Sequence, residues 1–156
     1  MKTIYFDMDG TLVNLYNVDN WLGQLTSENP SPYKIAEPLI DTVKLSELLI
    51  RLKDKGYKLG IITWSSKFSS EEFLEEVKIA KKDWISSNFP NIKFDEFVIL
   101  DYSCNKASCV NDPLGILFDD DISVRMFWPG KSYPPEVIFE ILYQLLEEED
   151  KFNEGI

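Results

Sequence analysis

Polar side chains stand directly after three short apolar runs of this sequence, TIYF, KLGII and GILF. Two aspartates follow the first run, a threonine follows the second, and three consecutive aspartates follow the third. These residues are Asp7 and Asp9, Thr63, and Asp119, Asp120 and Asp121. If the runs are parallel strands, their carboxyl ends form one edge of a sheet, where ligands bind in such folds. At least four acids would then meet at one place.

Crowded carboxylates repel one another, and each raises the pKa of its neighbours. A bound hard cation relieves this repulsion, and a site with a few oxygen ligands suits Mg²⁺, which often shares the oxygens of a phosphate. The alternative is structural: Asp7 and Asp9 would shape an Asp-Gly turn, and the three aspartates would form a solvated loop. The sequence contains no histidine, which excludes histidine-dependent nucleophilic catalysis and histidine zinc sites. Acid–base chemistry therefore falls mainly to carboxylates.

The charge balance argues against a polyanionic partner. Sixteen basic against 27 acidic residues give a net charge of −11, and such a surface repels nucleic acid. No apolar stretch approaches the ~18 residues of a membrane span, and acidic residues from position 7 onward leave no room for a signal peptide. Cys104 and Cys109 form neither a CxxC motif nor a disulfide framework, so we expect ordinary thiols. We therefore expect a cytoplasmic protein that binds neither nucleic acid nor membranes.

Short apolar runs and helical patterns alternate along the chain. Four runs rich in Ile, Val, Leu and Phe predict strands covered on both faces, as in a parallel sheet, and a fifth run is a candidate strand. In order, these are residues 3–6, 58–62, 96–100, 115–118 and the candidate 124–128. Helical patterns lie at residues 42–55, 69–88 and 134–149. The alternation predicts an α/β fold of Rossmann-like type, an open parallel sheet with helices on both faces.

One segment, residues 14–36, interrupts the alternation as an insertion after the first strand. Within it, residues 16–25 have the spacing of one amphipathic helix, which the sequence SENPSP then ends. The inward side chains of this helix would be Val18, Trp21, Leu22 and Leu25. We expect a small helical cap, either a lid or a docking surface, with Tyr16 and Trp21 as candidate substrate contacts. The predicted division is one domain over residues 1–150 and an acidic, flexible tail over 151–156.

The string FDMDGTL, residues 6–12, resembles the signature of the haloacid dehalogenase (HAD) superfamily of phosphohydrolases, an apolar strand followed by DxDGT. The other three motifs of that family have counterparts here in the same order. A strand ending in Thr or Ser matches LGIIT with Thr63, a lysine before the last core strand matches Lys106, and a strand ending in paired acids matches ILFDD with Asp119 and Asp120. The resemblance covers residues 1–13 and 38–128.

The resemblance implies a role for each matched residue. Asp7 is implied as the nucleophile that forms an aspartyl-phosphate, and Asp9 as the general acid that later activates water. Mg²⁺ is implied as the cofactor, held by Asp7, by the backbone carbonyl of Asp9 and by an acid of the fourth motif. Thr63 and Lys106 are implied as phosphate contacts. Trp64 directly follows Thr63, and we expect it to line the mouth of the site.

Two of these assignments have alternatives. In the run of three aspartates, the apolar strand ILF favours Asp120 as the direct metal ligand, with Asp119 next and Asp121 outside the site. In the second motif, the serines at positions 65 and 66 follow Thr63 closely and are alternatives for the phosphate contact. The expected chemistry holds in each case, because an aspartate reaches an anionic phosphate only when positive charge screens both groups.

The paired acids of the fourth motif, together with VRMFW and a C-terminal helix, resemble the pyrimidine 5′-nucleotidase (deoxyribonucleotidase) branch, although the insertion is shorter than the cap of that branch. We therefore expect a Mg²⁺-dependent phosphoric monoester hydrolase acting on a small phosphomonoester, with nucleoside or deoxynucleoside monophosphates preferred. One alternative is a phosphatase for a phosphorylated macromolecule. Another is a non-catalytic phosphate-binding module, HAD-like or similar to a response-regulator receiver. The expected state is a monomer or a small homo-oligomer.

Overall fold

Five parallel strands form the centre of the protein in the computed structural model, which describes residues 2–67 and 69–155. The strands are β1 (Thr3–Phe6), β2 (Lys58–Trp64), β3 (Glu96–Leu100), β4 (Ile116–Phe118) and β5 (Ser132–Tyr133). Their order is β3-β2-β1-β4-β5, and each neighbouring pair is parallel. The chain moves outward from β1 on one side and returns to its other side at β4. The carboxyl ends of β1 and β4 therefore form the switch point at which ligands bind in such sheets.

In the described residues, six helices accompany the sheet, and the starts of two of them follow from local hydrogen bonding. They are α1 (Trp21–Thr26), α2 (Ser31–Ile35), α3 (Thr42–Asp54), α4 (Glu71–Asn88), α5 (Ile122–Phe127) and α6 (Ile138–Glu154). Asp41 caps α3 by accepting a hydrogen bond from the Lys44 amide, and Ser70 caps α4 through the Phe73 amide. Gly56 follows α3 in the left-handed region, at φ 97°, which glycine adopts without steric cost. The predicted helices at 42–55 and 69–88 are thereby confirmed to within two residues at their ends.

The two faces of the sheet pack against different clusters. Alternate residues of β1 point to opposite faces: Ile4 and Phe6 belong to the large core, whereas Tyr5 belongs to a small one. Buried residues of α3, α4 and α6 complete the large core. The small core contains Trp128, directly after α5, whose indole N–H donates to the Gly115 carbonyl at 2.8 Å. The predicted α/β fold with an open parallel sheet is confirmed.

The candidate strand at residues 124–128 is wrong, because most of that segment is the helix α5. The carboxylate of Asp121 accepts hydrogen bonds from the amides of Ser123 and Val124, and this cap starts a helix where the apolar pattern alone favours a strand. The fifth strand is instead the two-residue β5, which pairs with β4. The strand β2 is longer than predicted and contains Thr63.

The insertion differs from the single helix expected at residues 16–25. A 3-10 turn at Leu15–Asn17 precedes α1, and α2 follows after the proline-containing loop. Asn20 interrupts the predicted helix with a left-handed conformation at φ 52°. Leu25 is buried and Val18 and Trp21 pack against the core as expected, but Leu22 faces outward and is 61% exposed.

The C-terminal helix begins and ends later than predicted. A 3-10 turn at Pro135–Val137 precedes α6, which continues to Glu154 rather than ending at residue 149. Residues 151–154, assigned to a flexible tail, are thus helical and exposed, whereas Met1 and Ile156 lie outside the described residues. Both cysteines are free and exposed thiols. In the described ranges, no helix is both long enough and apolar enough to cross a membrane.

Candidate active site

Asp7 lies at the carboxyl end of β1 and is held on both sides of its carboxylate. Its Oδ1 accepts a hydrogen bond from the Lys106 ammonium at 3.0 Å, and its Oδ2 accepts one from the Thr11 hydroxyl at 3.1 Å. Its backbone N–H donates to the Phe118 carbonyl of β4, which fixes the residue at the switch point. Asp7 is 6% exposed. The predicted nucleophile is therefore held in one orientation, and it lines the cavity at this edge of the sheet.

Three carboxylates from two strand ends meet beside Lys106. One oxygen each of Asp7, Asp119 and Asp120 lies within 4.8 Å of the others, and oxygen ligands at this spacing suit a divalent cation. Both carboxylate oxygens of Asp119 accept hydrogen bonds: Lys106 donates to Oδ2 at 2.6 Å, and the Asp121 amide donates to Oδ1 at 2.9 Å. Asp120 is exposed and pairs with no lysine or arginine in the described part of the chain.

The geometry distinguishes the three consecutive aspartates. The carboxylate of Asp121 caps α5 and is absent from the cluster, although the residue lines the same cavity, so its place outside the metal site stays a prediction. The carboxylate of Asp119 is paired with Lys106, whereas that of Asp120 is not. Asp120 is therefore the better placed of the two to bind a cation. The choice of Asp120 over Asp119 as the direct ligand stays a prediction, and it agrees with this arrangement.

Mutual repulsion of the clustered acids perturbs their protonation. Although Asp120 is exposed as a residue, partial burial of its carboxyl and the neighbouring charge of Asp7 together raise its pKa to about 8. Burial and the same neighbouring charge raise the pKa of Asp119 to about 6, against the lowering effect of Lys106. Burial lowers the pKa of Lys106, but the charges of Asp7 and Asp119 outweigh it and the net shift is upward. The lysine therefore stays an ammonium ion. Its single positive charge lies beside three carboxylates and does not balance them.

Asp9 lines the same cavity but lies outside the cluster of three carboxylates, and it pairs with a lysine of α4. Its Oδ2 accepts a hydrogen bond from the Lys81 ammonium at 2.7 Å. Its Oδ1 is buried and has no hydrogen-bond partner within residues 2–67 and 69–155. Burial raises the pKa of the Asp9 carboxyl, and the Lys81 charge opposes that effect without cancelling it. The Asp9 carboxylate lies outside the clustered oxygens, and the assignment of the Asp9 backbone carbonyl as a metal ligand stays a prediction.

The predicted phosphate contacts share one cavity with these acids. Thr63 is 1% exposed and accepts a hydrogen bond from the Lys81 ammonium at 2.8 Å. The indole N–H of Trp64 donates to the Cys104 carbonyl at 2.8 Å, so Trp64 presents its ring rather than its donor to the cavity. The Lys106 ammonium lies 5.0 Å from the centre of that ring. These contacts bring the predicted site residues together at one edge of the sheet.

The cavity above the acids has a volume of about 360 Å³ and a wall rich in aromatic rings. Its polar floor contains Asp7, Asp9, Lys106 and Asp120. The aromatic side chains are Tyr16, Trp21, Tyr33, Trp64 and Tyr102. Both aromatic residues that the sequence singled out in the insertion therefore line the cavity. A volume of this size lies at the lower end of the range of small-molecule sites.

The insertion is fastened to the rest of the protein at three points. The Tyr33 hydroxyl and the Ser66 hydroxyl share a hydrogen bond of 2.8 Å. The Trp84 indole N–H donates to the Ala36 carbonyl at 2.8 Å. The carboxylate of Glu28 accepts hydrogen bonds from the amide and hydroxyl of Ser70, the residue that caps α4. The segment is therefore a fixed wall of the cavity in this structure.

Sequence reasoning missed Lys81, Thr11 and Tyr33. Lys81 is completely buried on α4, and the Tyr33 ring lies 4.8 Å from its ammonium. The signal for Lys81 is its spacing, since it lies four residues beyond Val77 and eight beyond Phe73, on the inward face of α4 where an apolar residue is expected. Thr11 had no such signal, because its contact with Asp7 depends on the turn that follows β1.

The fold and the site define an α/β protein with a carboxylate-rich cavity at the switch point of a parallel sheet. No protein-family model and no curated protein match the chain. Its fold is similar to a solved structure of D,D-heptose 1,7-bisphosphate phosphatase from B. bronchiseptica, complexed with magnesium and phosphate. The TM-score is 0.54 at 13% identity, over 95% of this chain and 99% of that one. The corresponding enzyme from Burkholderia thailandensis matches at a TM-score of 0.44 and 11% identity, over 79% and 68% of the two chains.

Proposed function

We propose that the protein is a Mg²⁺-dependent phosphatase that hydrolyses a small phosphomonoester through an aspartyl-phosphate on Asp7. The observation that carries the proposal is the position of the Asp7 carboxylate in the cavity. It contacts Lys106 and lies beside the carboxylates of Asp119 and Asp120. The fold neighbour that binds magnesium and phosphate supports the same chemistry.

The donor set fits Mg²⁺. It consists of carboxylate oxygens only, and the raised pKa values of Asp119 and Asp120 indicate a deficit of positive charge that a divalent cation would remove. Asp7 and Asp120 would hold the ion. When bound, Mg²⁺ supplies positive charge that screens the carboxylates and a phosphate from each other.

In the first step, a carboxylate oxygen of Asp7 forms a bond to phosphorus while the bond to the leaving oxygen breaks. Lys106 lies on the nucleophile and offsets the negative charge that the approaching phosphoryl group brings. Thr63, at the end of β2, donates its hydroxyl to a phosphoryl oxygen. The leaving oxygen takes its proton from Asp9, whose raised pKa favours the protonated acid that this step requires.

In the second step, water attacks phosphorus and the bond between phosphorus and Asp7 breaks. Asp9, now a carboxylate, accepts the proton of that water and returns to its starting state. We expect Asp9→Asn to lower turnover by about 10²–10⁴-fold and to let phosphoenzyme accumulate when the leaving group is good.

The aromatic wall of the cavity supports nucleoside monophosphates as the preferred substrates. Tyr16 and Trp21 come from the insertion, and together with Trp64 and Tyr102 they offer ring faces on which a base can stack. The fixed insertion and the net charge of −11 disfavour long nucleic-acid chains. The substrate named for the fold neighbour, a sugar bisphosphate, makes sugar phosphates the second candidate class.

The test is phosphate release from a competition panel of nucleotides, sugar phosphates, a phosphopeptide and a 3′-phosphorylated oligonucleotide. We expect release with Mg²⁺, none in excess EDTA, and none from Asp7→Asn in either condition. The matched control is Asp83→Asn, which changes an exposed acid of α4. Full release in EDTA or substantial turnover by Asp7→Asn would refute the mechanism. Fastest hydrolysis of the peptide or the oligonucleotide would make the substrate a macromolecule.

A phosphate-binding module without turnover gives a different pattern. Orthophosphate with Mg²⁺ would then raise the melting temperature of the wild type, while the whole panel would remain unhydrolysed. The two readouts together separate an enzyme from a binding protein.

A further inference from the structure

Lys81 is a buried cation that the proposed chemistry does not use. It lies on the inward face of α4 and is 0% exposed, and its ammonium contacts three groups from three other parts of the chain. These groups are the carboxylate of Asp9 at 2.7 Å, the hydroxyl of Thr63 at 2.8 Å and the ring of Tyr33, whose centre is 4.8 Å away.

A lysine at this place is costly for stability. Burial of an ion pair costs desolvation energy that the attraction between the charges only partly restores, and apolar residues of similar volume are often at least as stable. The neighbouring inward residues of α4, Phe73, Val77 and Trp84, are large and mostly apolar. Packing therefore does not require a charge at position 81.

We propose that Lys81 is a positioning residue that holds Asp9 and Thr63 in the orientations used during phosphoryl transfer. This inference rests on the proposed function, since it assigns a role within that reaction. It extends the site by a residue that belongs to none of the four sequence motifs.

The contact with Thr63 determines the direction of its hydroxyl proton. An ammonium only donates hydrogen bonds, so the Thr63 oxygen accepts from Lys81 and its own proton must point elsewhere. Among the described residues, the other partner within reach is the Trp64 carbonyl at 3.5 Å, the limit of a hydrogen bond. Lys81 therefore leaves Thr63 as a donor toward a phosphoryl oxygen in the cavity.

The contact between Lys81 and Asp9 fixes the orientation of the Asp9 carboxyl group. Oδ2 is fixed on Lys81 at 2.7 Å, whereas Oδ1 is buried and has no partner in the described residues. With Oδ2 held by Lys81, the carboxyl group keeps one orientation in the wall of the cavity, from which it gives a proton to the leaving group and later takes one from water. Without Lys81, the carboxyl group could rotate, and its oxygen would lose the fixed place that proton transfer demands.

The test compares Lys81→Met with wild type on two esters: the alkyl phosphomonoester that the wild type hydrolyses best, and p-nitrophenyl phosphate. An alkyl alcohol needs a proton to leave, whereas nitrophenolate leaves readily without one. We expect kcat/KM to fall about 10²-fold or more on the alkyl ester and by clearly less on the aryl ester. The ratio of the two losses is independent of the folded fraction of the preparation, because unfolded protein lowers both values equally.

Two further variants complete the experiment. Lys82→Met, which changes the exposed neighbour on the same helix, should match wild type on both esters. Lys81→Gln keeps a hydrogen-bond donor and should lie between Lys81→Met and wild type; it also serves if the methionine variant does not fold. Equal losses on both esters would overturn the positioning of Asp9, and no loss on either ester would overturn the positioning role as a whole. A wild type that releases phosphate from neither ester would instead refute the proposed function itself.

Discussion

Replacing Gly10 by alanine should disrupt the proposed metal site through a neighbour that lies 110 residues away in the chain. Gly10 has φ 83°, in the left-handed region, and an added Cβ would lie 2.6 Å from the Cγ of Asp120 and closer still to its Oδ2. The same Cβ would lie 2.9 Å from a ring carbon of Tyr16. Since Asp120 is the exposed acid of the cluster, it is the group expected to move.

Gly56→Ala is a matched control for the backbone part of this change. Gly56 has φ 97°, and an added Cβ there would meet no atom within 4 Å. Each substitution should cost about 1–2 kcal/mol for a non-glycine residue in the left-handed region. At about 2–4 °C per kcal/mol for a domain of this size, the control should lose about 2–8 °C of melting temperature.

The difference between the variants should appear in Mg²⁺ affinity, measured by calorimetric titration. Gly56→Ala should bind Mg²⁺ as the wild type does, whereas Gly10→Ala should bind it about tenfold more weakly or worse, the scale of a disturbed ligand environment. Phosphate release at limiting Mg²⁺ should fall in parallel. Equal Mg²⁺ affinity in the two alanine variants would refute the placement of Asp120 in the metal site.

Three further predictions concern the acids and the small core. Asp120→Asn should weaken Mg²⁺ binding, measured by calorimetry, more than Asp121→Asn does. The Asp121 side chain accepts hydrogen bonds from two amides at the start of α5, and asparagine caps a helix equally well. The reverse order of the two affinities would contradict the assignment of Asp120. The pKa of Asp120 is raised from 3.8 to about 8, so in EDTA the stability that its protonated form contributes should be lost as pH rises across that interval. Asp120→Asn should flatten this part of the profile of melting temperature against pH. Trp128→Phe should lower the free energy of unfolding in urea by about 1–3 kcal/mol, since it leaves the buried Gly115 carbonyl without its donor.

Strands and site positions could be predicted because their signals are local. The strands β1 and β2 each contain a short apolar stretch, and the polar residue that matters stands at or just beyond its end, as Asp7 and Thr63 do. In a parallel sheet the carboxyl ends of neighbouring strands meet at one edge, so strand assignments were enough to bring Asp7 and Asp120 together.

Contacts that depend on tertiary packing could not be predicted in the same way. The segment at 124–128 is helical because one side chain, Asp121, satisfies two of the first amides, and a count of apolar residues does not detect such a cap. Lys81 was missed because lysine on a helix ordinarily faces solvent. Its burial requires Asp9 and Thr63, which reach it only after β1 and β2 have paired.

The contact between Asp7 and Lys106 joins residues 99 positions apart, so the cavity forms only when the sheet is complete. Partly folded chains would lack it, and a molecule that occupies the cavity therefore adds its binding free energy to the folding of the whole domain. A ligand at a concentration one hundred times its dissociation constant would stabilise the native state by about 2.7 kcal/mol. At about 2–4 °C per kcal/mol, that corresponds to a rise in melting temperature of about 5–11 °C. The Asp7→Asn variant is expected to bind ligands without hydrolysing them. Its melting temperature, measured with each ligand in turn, can thus rank the ligands by affinity.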